Sequence, residues 1–259
     1  MLSLDEYLAE AERAHGHLCA GQVLGVRLAM LGLHTLGIQD PRGNREDRKR
    51  LVTFVEIDRC ATDAIAVVTG CRLGKRALKF RDWGKMAATF VDLASPLEEN
   101  GEDTTANGNV ATVATGKGAT LVAPSGTAKQ AALAAEGHRP PGAPLKPSLG
   151  LSGPTAGHCY KAIRIAAKES SKALARSMHP EIADKNQQQM LAYREMPDDD
   201  LFTQQWVKVE LPPEEFPGYK ADRIVCAKCG EGINFHREVL REGQVLCHAC
   251  AGGKYYEPL

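Results

Sequence analysis

No apolar run in this 259-residue chain is long enough, at about 18 residues, to cross a bilayer as a helix, so no transmembrane segment is expected. Aromatic residues are scarce at 5%, which argues against the stacking platforms that bind single-stranded nucleic acid. Excess charge is absent as well. Lys plus Arg and Asp plus Glu are 32 each, so the net charge is zero and nothing overall points to a polyanion, although a local basic patch is still compatible with that balance. The opening residues Met1, Leu2, Ser3, Leu4, Asp5 and Glu6 lack the basic start of a secretory signal, so a cytoplasmic location is expected. What remains, at 43% apolar and 25% charged, is an ordinary globular composition with enough length to bury a core.

Cysteine is present at eight positions, and a reducing compartment favours metal binding or chemistry over disulfides. The clearest signal is at the C-terminal end. Cys226 and Cys229 are followed 17 residues later by Cys247 and Cys250, giving C-x2-C-x17-C-x2-C. Two residues between thiolates let one tight turn present both sulfurs to a tetrahedral ion, and a second turn closes the shell. Four cysteine ligands leave no open position, so the expected cofactor is a structural zinc ion (Zn2+). About 40 residues cannot bury enough surface to fold alone, which gives the metal its role.

A second cluster lies near the N-terminus. His15, His17 and Cys19 fall within five residues, with Gly16 breaking the helix that Ser3 and Glu6 open as a capping box. His17 and Cys19 are then expected in the first turn of a second helix that runs toward Leu36. Cys60 sits after a strand over 51–58 and before a helix over 61–69, with Glu56, Asp58 and Asp63 flanking it. Thiols at helix starts have lowered pKa values, so Cys19 and Cys60 with the histidines make a candidate core site for a second metal of unknown identity. Cys71 joins them only if the intervening helix is short. Packing alone is the competing reading for each residue taken singly.

Further strands are expected at 78–80, 86–93, 160–166 and 204–211, and helices at 170–178 and 180–194. Residues 40–50 read as a charged loop. Helices and strands alternate without a regular βαβ period, so the expected class is α+β: a mixed core over 1–211 and a small zinc-binding domain over 212–259. Residues 94–159 are rich in Gly, Pro and Ala, lack aromatics and read as a low-complexity insertion between paired strands. Within it, Thr115 to Gly118 falls short of a phosphate loop, and Gly150 to Pro154 falls short of a nucleophile elbow.

Several ordered motifs resemble the formylmethanofuran dehydrogenase E-subunit family: His15 through Gly21, Arg59 through Ile65, Thr69 through Lys75 and Asp82 through Ala88. Tyr160 through Arg164, and Met196 to Asp198 with Phe202 and Trp206, extend the likeness. The resemblance implies an α+β core, usually dimeric, with an accessory treble-clef zinc finger. It also implies a core metal site on His17, Cys19 and Cys60, with His15 and Cys71 as further candidates. The family name refers to a molybdenum or tungsten enzyme that reduces carbon dioxide onto methanofuran. This chain shows no pterin-binding signature and no ferredoxin-type cysteine run, so it is not expected to carry that reaction alone. Expected partners are a second copy and a molybdenum or tungsten enzyme complex, with no membrane. Catalytic residues stay unassigned. The alternatives are a stand-alone metalloenzyme and a zinc-finger regulator of nucleic acid. The second is disfavoured because Lys220, Arg223, Lys228, Arg237, Arg241 and Lys254 are offset by Glu231, Glu238, Glu242 and Glu257.

Overall fold

The computed structural model describes residues 1–97 and 158–259. The element order is α1 (Leu4–His15), α2 (Ala20–Thr35), α3 (Arg45–Arg50), β1 (Leu51–Val55), α4 (Cys60–Thr69), β2 (Leu78–Phe80), β3 (Ala87–Leu97), β4 (His158–Ala167), α5 (Ser170–Met178), α6 (Lys185–Glu195), α7 (Asp198–Leu201) and β5 (Phe202–Leu211). Short strands β6 (Ile224–Val225), β7 (Gly232–Ile233), β8 (Val239–Arg241) and β9 (Gln244–Leu246) follow, and a helical turn spans Ala249–Gly253. The expected α+β class is what the chain adopts.

Five strands form one sheet in the order β2-β1-β3-β4-β5. Only β1 and β2 run parallel; the other neighbours are antiparallel. Alternation along β1 sorts its side chains. Leu51 and Val55 join the main core, whereas Val52 and Phe54 belong to a smaller cluster on the opposite face with Val91, Tyr160 and Leu211. Leu97 pairs with Cys159, so the ends of the expected insertion at 94–97 and 158–159 are strand. The rest of that insertion, with its two rejected motifs, lies outside the described residues.

The main core forms where α2 lies between the sheet and the other helices. Val23, Val26, Leu28, Ala29 and Leu33 are fully buried on it. A helix apolar on more than one face has to be enclosed on more than one side. Glycines set how closely its neighbours approach. A methyl group at Gly25 would lie 2.5 Å from the Ala61 carbonyl oxygen and 2.7 Å from its Cα, and one at Gly32 would lie 2.3 Å from the Phe90 ring. The backbone of α4 therefore packs directly on α2.

Two sequence expectations change. The charged run after Asn44 is a helix, α3, because the Asn44 side chain accepts from the Glu46 and Asp47 amides. The helix expected from Pro180 begins only at Lys185, because Asp184 is its N-cap and accepts from the Gln187 amide.

Candidate metal centres

Gly16 ends α1 in a left-handed conformation at φ 95°, and its amide donates to the Glu12 carbonyl at 2.7 Å. The chain therefore turns sharply within one residue, and His17 lies in the connection rather than in a helix. Cys19 is the N-cap of α2, in extended conformation at φ −141° and ψ 166°. Both residues thus precede the first turn of α2 in which the sequence placed them. The turn folds the short segment back on itself, so the donor atoms of His15, His17 and Cys19 all lie within 4.8 Å of one another. The two imidazole rings are 4.8 Å apart, centroid to centroid. His15 and Cys19 are half-buried and His17 is exposed.

Helix α4 brings the fourth group. Cys60 is its first residue, and its thiol hydrogen-bonds the Cys19 thiol. The crossing with α2 makes this possible, since a Cβ built on Gly21 would sit 3.4 Å from the Cys60 Cβ and 3.7 Å from the Cys19 sulfur. Burial first, and the Cys19 thiol second, push the Cys60 pKa up. This reverses the lowered value expected from its helix-start position, because desolvation of the thiolate outweighs the helix terminus. Asp63, one turn along α4, holds His15 through a contact of 2.8 Å between its Oδ2 and the imidazole Nδ1. With Nδ1 so engaged, Nε2 of His15 is the nitrogen left to face an ion.

Cys71 is elsewhere. It follows the C-terminal end of α4, some 16 Å of helical rise from Cys60. It is buried there, with its sulfur 3.5 Å from the Thr53 hydroxyl, and burial pushes its pKa up. The geometry therefore removes it from the candidate core cluster. Sequence reasoning also missed Asn186, at the start of α6, whose side-chain oxygen accepts from the Ala20 amide at 3.1 Å and steadies the opening of α2 beside Cys19.

At the C-terminal end, the donor sulfurs of Cys226, Cys229, Cys247 and Cys250 lie within 4.8 Å of one another. Cys226 and Cys229 flank a tight turn closed by the Gly230 amide on the Cys226 carbonyl at 3.0 Å. The β8–β9 hairpin then leads into Cys247 and into the helical turn that holds Cys250. This is the order of elements in a treble clef. The Cys229 and Cys247 sulfurs are 3.8 Å apart. A tetrahedron of Zn–S bonds of about 2.3 Å has edges of roughly 3.8 Å, whereas a disulfide would need about 2.05 Å, so the donor set fits zinc. Backbone amides of Cys229 and Cys247 lower the Cys226 pKa to about 6, which favours the thiolate that binds metal. Burial and the neighbouring sulfurs push Cys250 up to about 12. One thiolate in the ring thus opposes the next until a cation neutralises them.

The fold and these clusters define a mixed α+β protein with a cysteine-rich zinc-binding appendage and a second set of His and Cys donors in its core. Comparison with known proteins says which one. Residues 14–133 match the family model described as FmdE, molybdenum formylmethanofuran dehydrogenase operon, and residues 221–256 match the prokaryotic dksA/traR C4-type zinc finger. The chain is therefore FmdE-like through the segment that holds His15, His17, Cys19 and Cys60, and carries a C4 zinc finger behind it. A solved FmdE-like protein of tungsten formylmethanofuran dehydrogenase from Syntrophus aciditrophicus has a TM-score of 0.50 and 15% identity, covering 99% of this chain and 96% of that one, a likeness of fold. A probable S-adenosyl-L-methionine-binding protein from Archaeoglobus fulgidus is 35% identical over 88 residues, 34% of this chain. The match spans about a quarter of that relative's length, 24%.

Proposed function

We propose that this protein is a metal-binding accessory component of molybdenum- or tungsten-dependent one-carbon metabolism. In this reading the core holds a second metal ion and the C-terminal zinc is structural. The observation that carries it is the convergence of His15, His17 and Cys19 at one helix junction with the Cys60 thiol beside them. Imidazole nitrogen and thiolate sulfur suit zinc or another late transition metal. Bound there, such an ion would supply Lewis acidity or a metal to be passed on. The chain's own residues do the rest: Asp63 orients His15, burial keeps Cys60 protonated until an ion arrives, and Gly16 sets the turn. A second copy of the chain and a molybdenum or tungsten enzyme are the proposed partners.

The test is affinity capture of the tagged full chain from its native extract. Recovery of a molybdenum- or tungsten-containing enzyme by the wild-type chain, reduced for the Cys19→Ser/Cys60→Ser chain, is expected. Failure to recover any such component supports a second reading, a stand-alone metalloenzyme. That reading is favoured by one detail: a site of three ligands would leave a position for water or substrate.

A further inference from the structure

A surface cleft of about 510 Å³ lies to one side of both cysteine clusters, where α1, the loop before α3, α3 itself and the turn after α4 come together. Arg13, Arg42, Arg48, Arg72 and Lys75 line it, one or two from each of these segments. A single carboxylate, Glu10, is among the lining residues, and it is taken up by Arg42 at 2.6 Å. Asp40 adds to the negative field at Arg42. Arg13, Arg48, Arg72 and Lys75 have no ion-pair partner among the described residues. The C-terminus of α4, closed by Gly70 at the cleft wall, supplies the equivalent of about half a negative charge. That leaves an excess of roughly three to four positive charges in one concavity, on a chain whose net charge is zero.

Gathering like charges costs stability unless an anion offsets them. Four chain segments supply the cations, so a single charged run does not explain the concentration. Guanidinium groups present paired N–H donors matched to phosphate oxygens. The volume lies within the ~300–1,000 Å³ range of small-molecule sites, and the concavity suits a compact anion better than a duplex. We propose that this cleft binds a phosphate-bearing small molecule, with Arg48, Arg72 and Lys75 as its direct contacts. The inference does not rest on the metal-centred reading above.

The test is calorimetric titration of the full chain with inorganic pyrophosphate, and in parallel with a nucleoside diphosphate, at about 0.15 M salt where weak surface attraction is largely screened. One saturable site per chain is expected. Arg72→Glu and Lys75→Glu, both at exposed positions, are expected to weaken it at least tenfold, with an unchanged circular dichroism spectrum. The control Lys220→Glu, in the segment before the finger, is expected to change it less than twofold. Tighter binding of the nucleoside diphosphate identifies a phosphate ester as the ligand, and equal binding identifies the inorganic anion. No saturation with either probe, or equal weakening by Lys220→Glu, overturns the proposal.

Discussion

Asp63 is a small test of the core site at the scale of one side chain. Its carboxylate touches His15 at 2.8 Å and is exposed, so it has little to do with packing. Asp63→Ala is expected to weaken core metal affinity by roughly 10- to 100-fold while the thermal midpoint hardly moves, because the loss is one of imidazole orientation; titration with a coloured chelator measures the first and calorimetry the second. Asp92 shows the opposite balance. Burial alone would raise its pKa, but Arg50, the Ala94 amide and the Ser95 hydroxyl outweigh burial and hold it below the ordinary carboxylate value. A carboxylate depressed in the folded state contributes stability above its unfolded pKa, and that contribution is lost as pH falls through the lower folded value. Asp92→Asn should therefore cost about 2 kcal/mol at neutral pH and progressively less in acid, read from denaturant midpoints over a pH series. The site was legible at this scale by residue type: two histidines and a cysteine within five residues, and a cysteine at a helix start. The exclusion of Cys71 was not legible, because only the length and straightness of α4 decide which end of it a thiol occupies.

The pairing of α2 with α4 makes one site out of two distant motifs. Its requirement is small residues, since the Ala61 backbone sits where a Gly25 side chain would be. Gly25→Ala is expected to destabilise by about 3 kcal/mol, and to part Cys60 from Cys19, so that both the denaturant midpoint and core metal content fall. Gly74→Ala, which would meet nothing within 4 Å, should change stability by under about 0.5 kcal/mol. Most elements were legible because their patterns are strong: the capping box at Ser3 and Glu6, the Gly70 stop and the alternation in β1 and β5. The helix α3 was hidden because the run from Arg45 to Arg50 has no apolar stripe. Its Asn44 cap and the Lys49–Glu46 pair at 3.1 Å act where hydrophobic periodicity gives no signal. The closeness of α2 and α4 was hidden too, because glycines within an apolar helix mark a close approach without naming the partner.

At the scale of the molecule, the finger is tied to the core by a short strap. Arg81 makes two bonds to the Glu215 carboxylate at 2.8 and 2.9 Å, Lys79 reaches the Glu215 carbonyl, and the Arg76 guanidinium lies 3.9 Å over the Phe235 ring. Both tryptophans, Trp83 and Trp206, belong to the core sequence, whereas Tyr219, Tyr255 and Tyr256 lie in or beside the finger. Stripping zinc should therefore disorder the tyrosine signals and leave the tryptophan near-ultraviolet dichroism largely intact, since the core has its own enclosed apolar cluster. Among the described residues no helix is long and apolar enough to cross a membrane. The two donor clusters are the chemistry of this molecule, and the central claim is that each holds one ion. It is tested most directly by metal content per chain, determined by mass spectrometry on the purified full chain and on Cys19→Ala. The account predicts two metal ions per chain falling to one in the variant, with the finger's zinc retained. One ion in both proteins would contradict it.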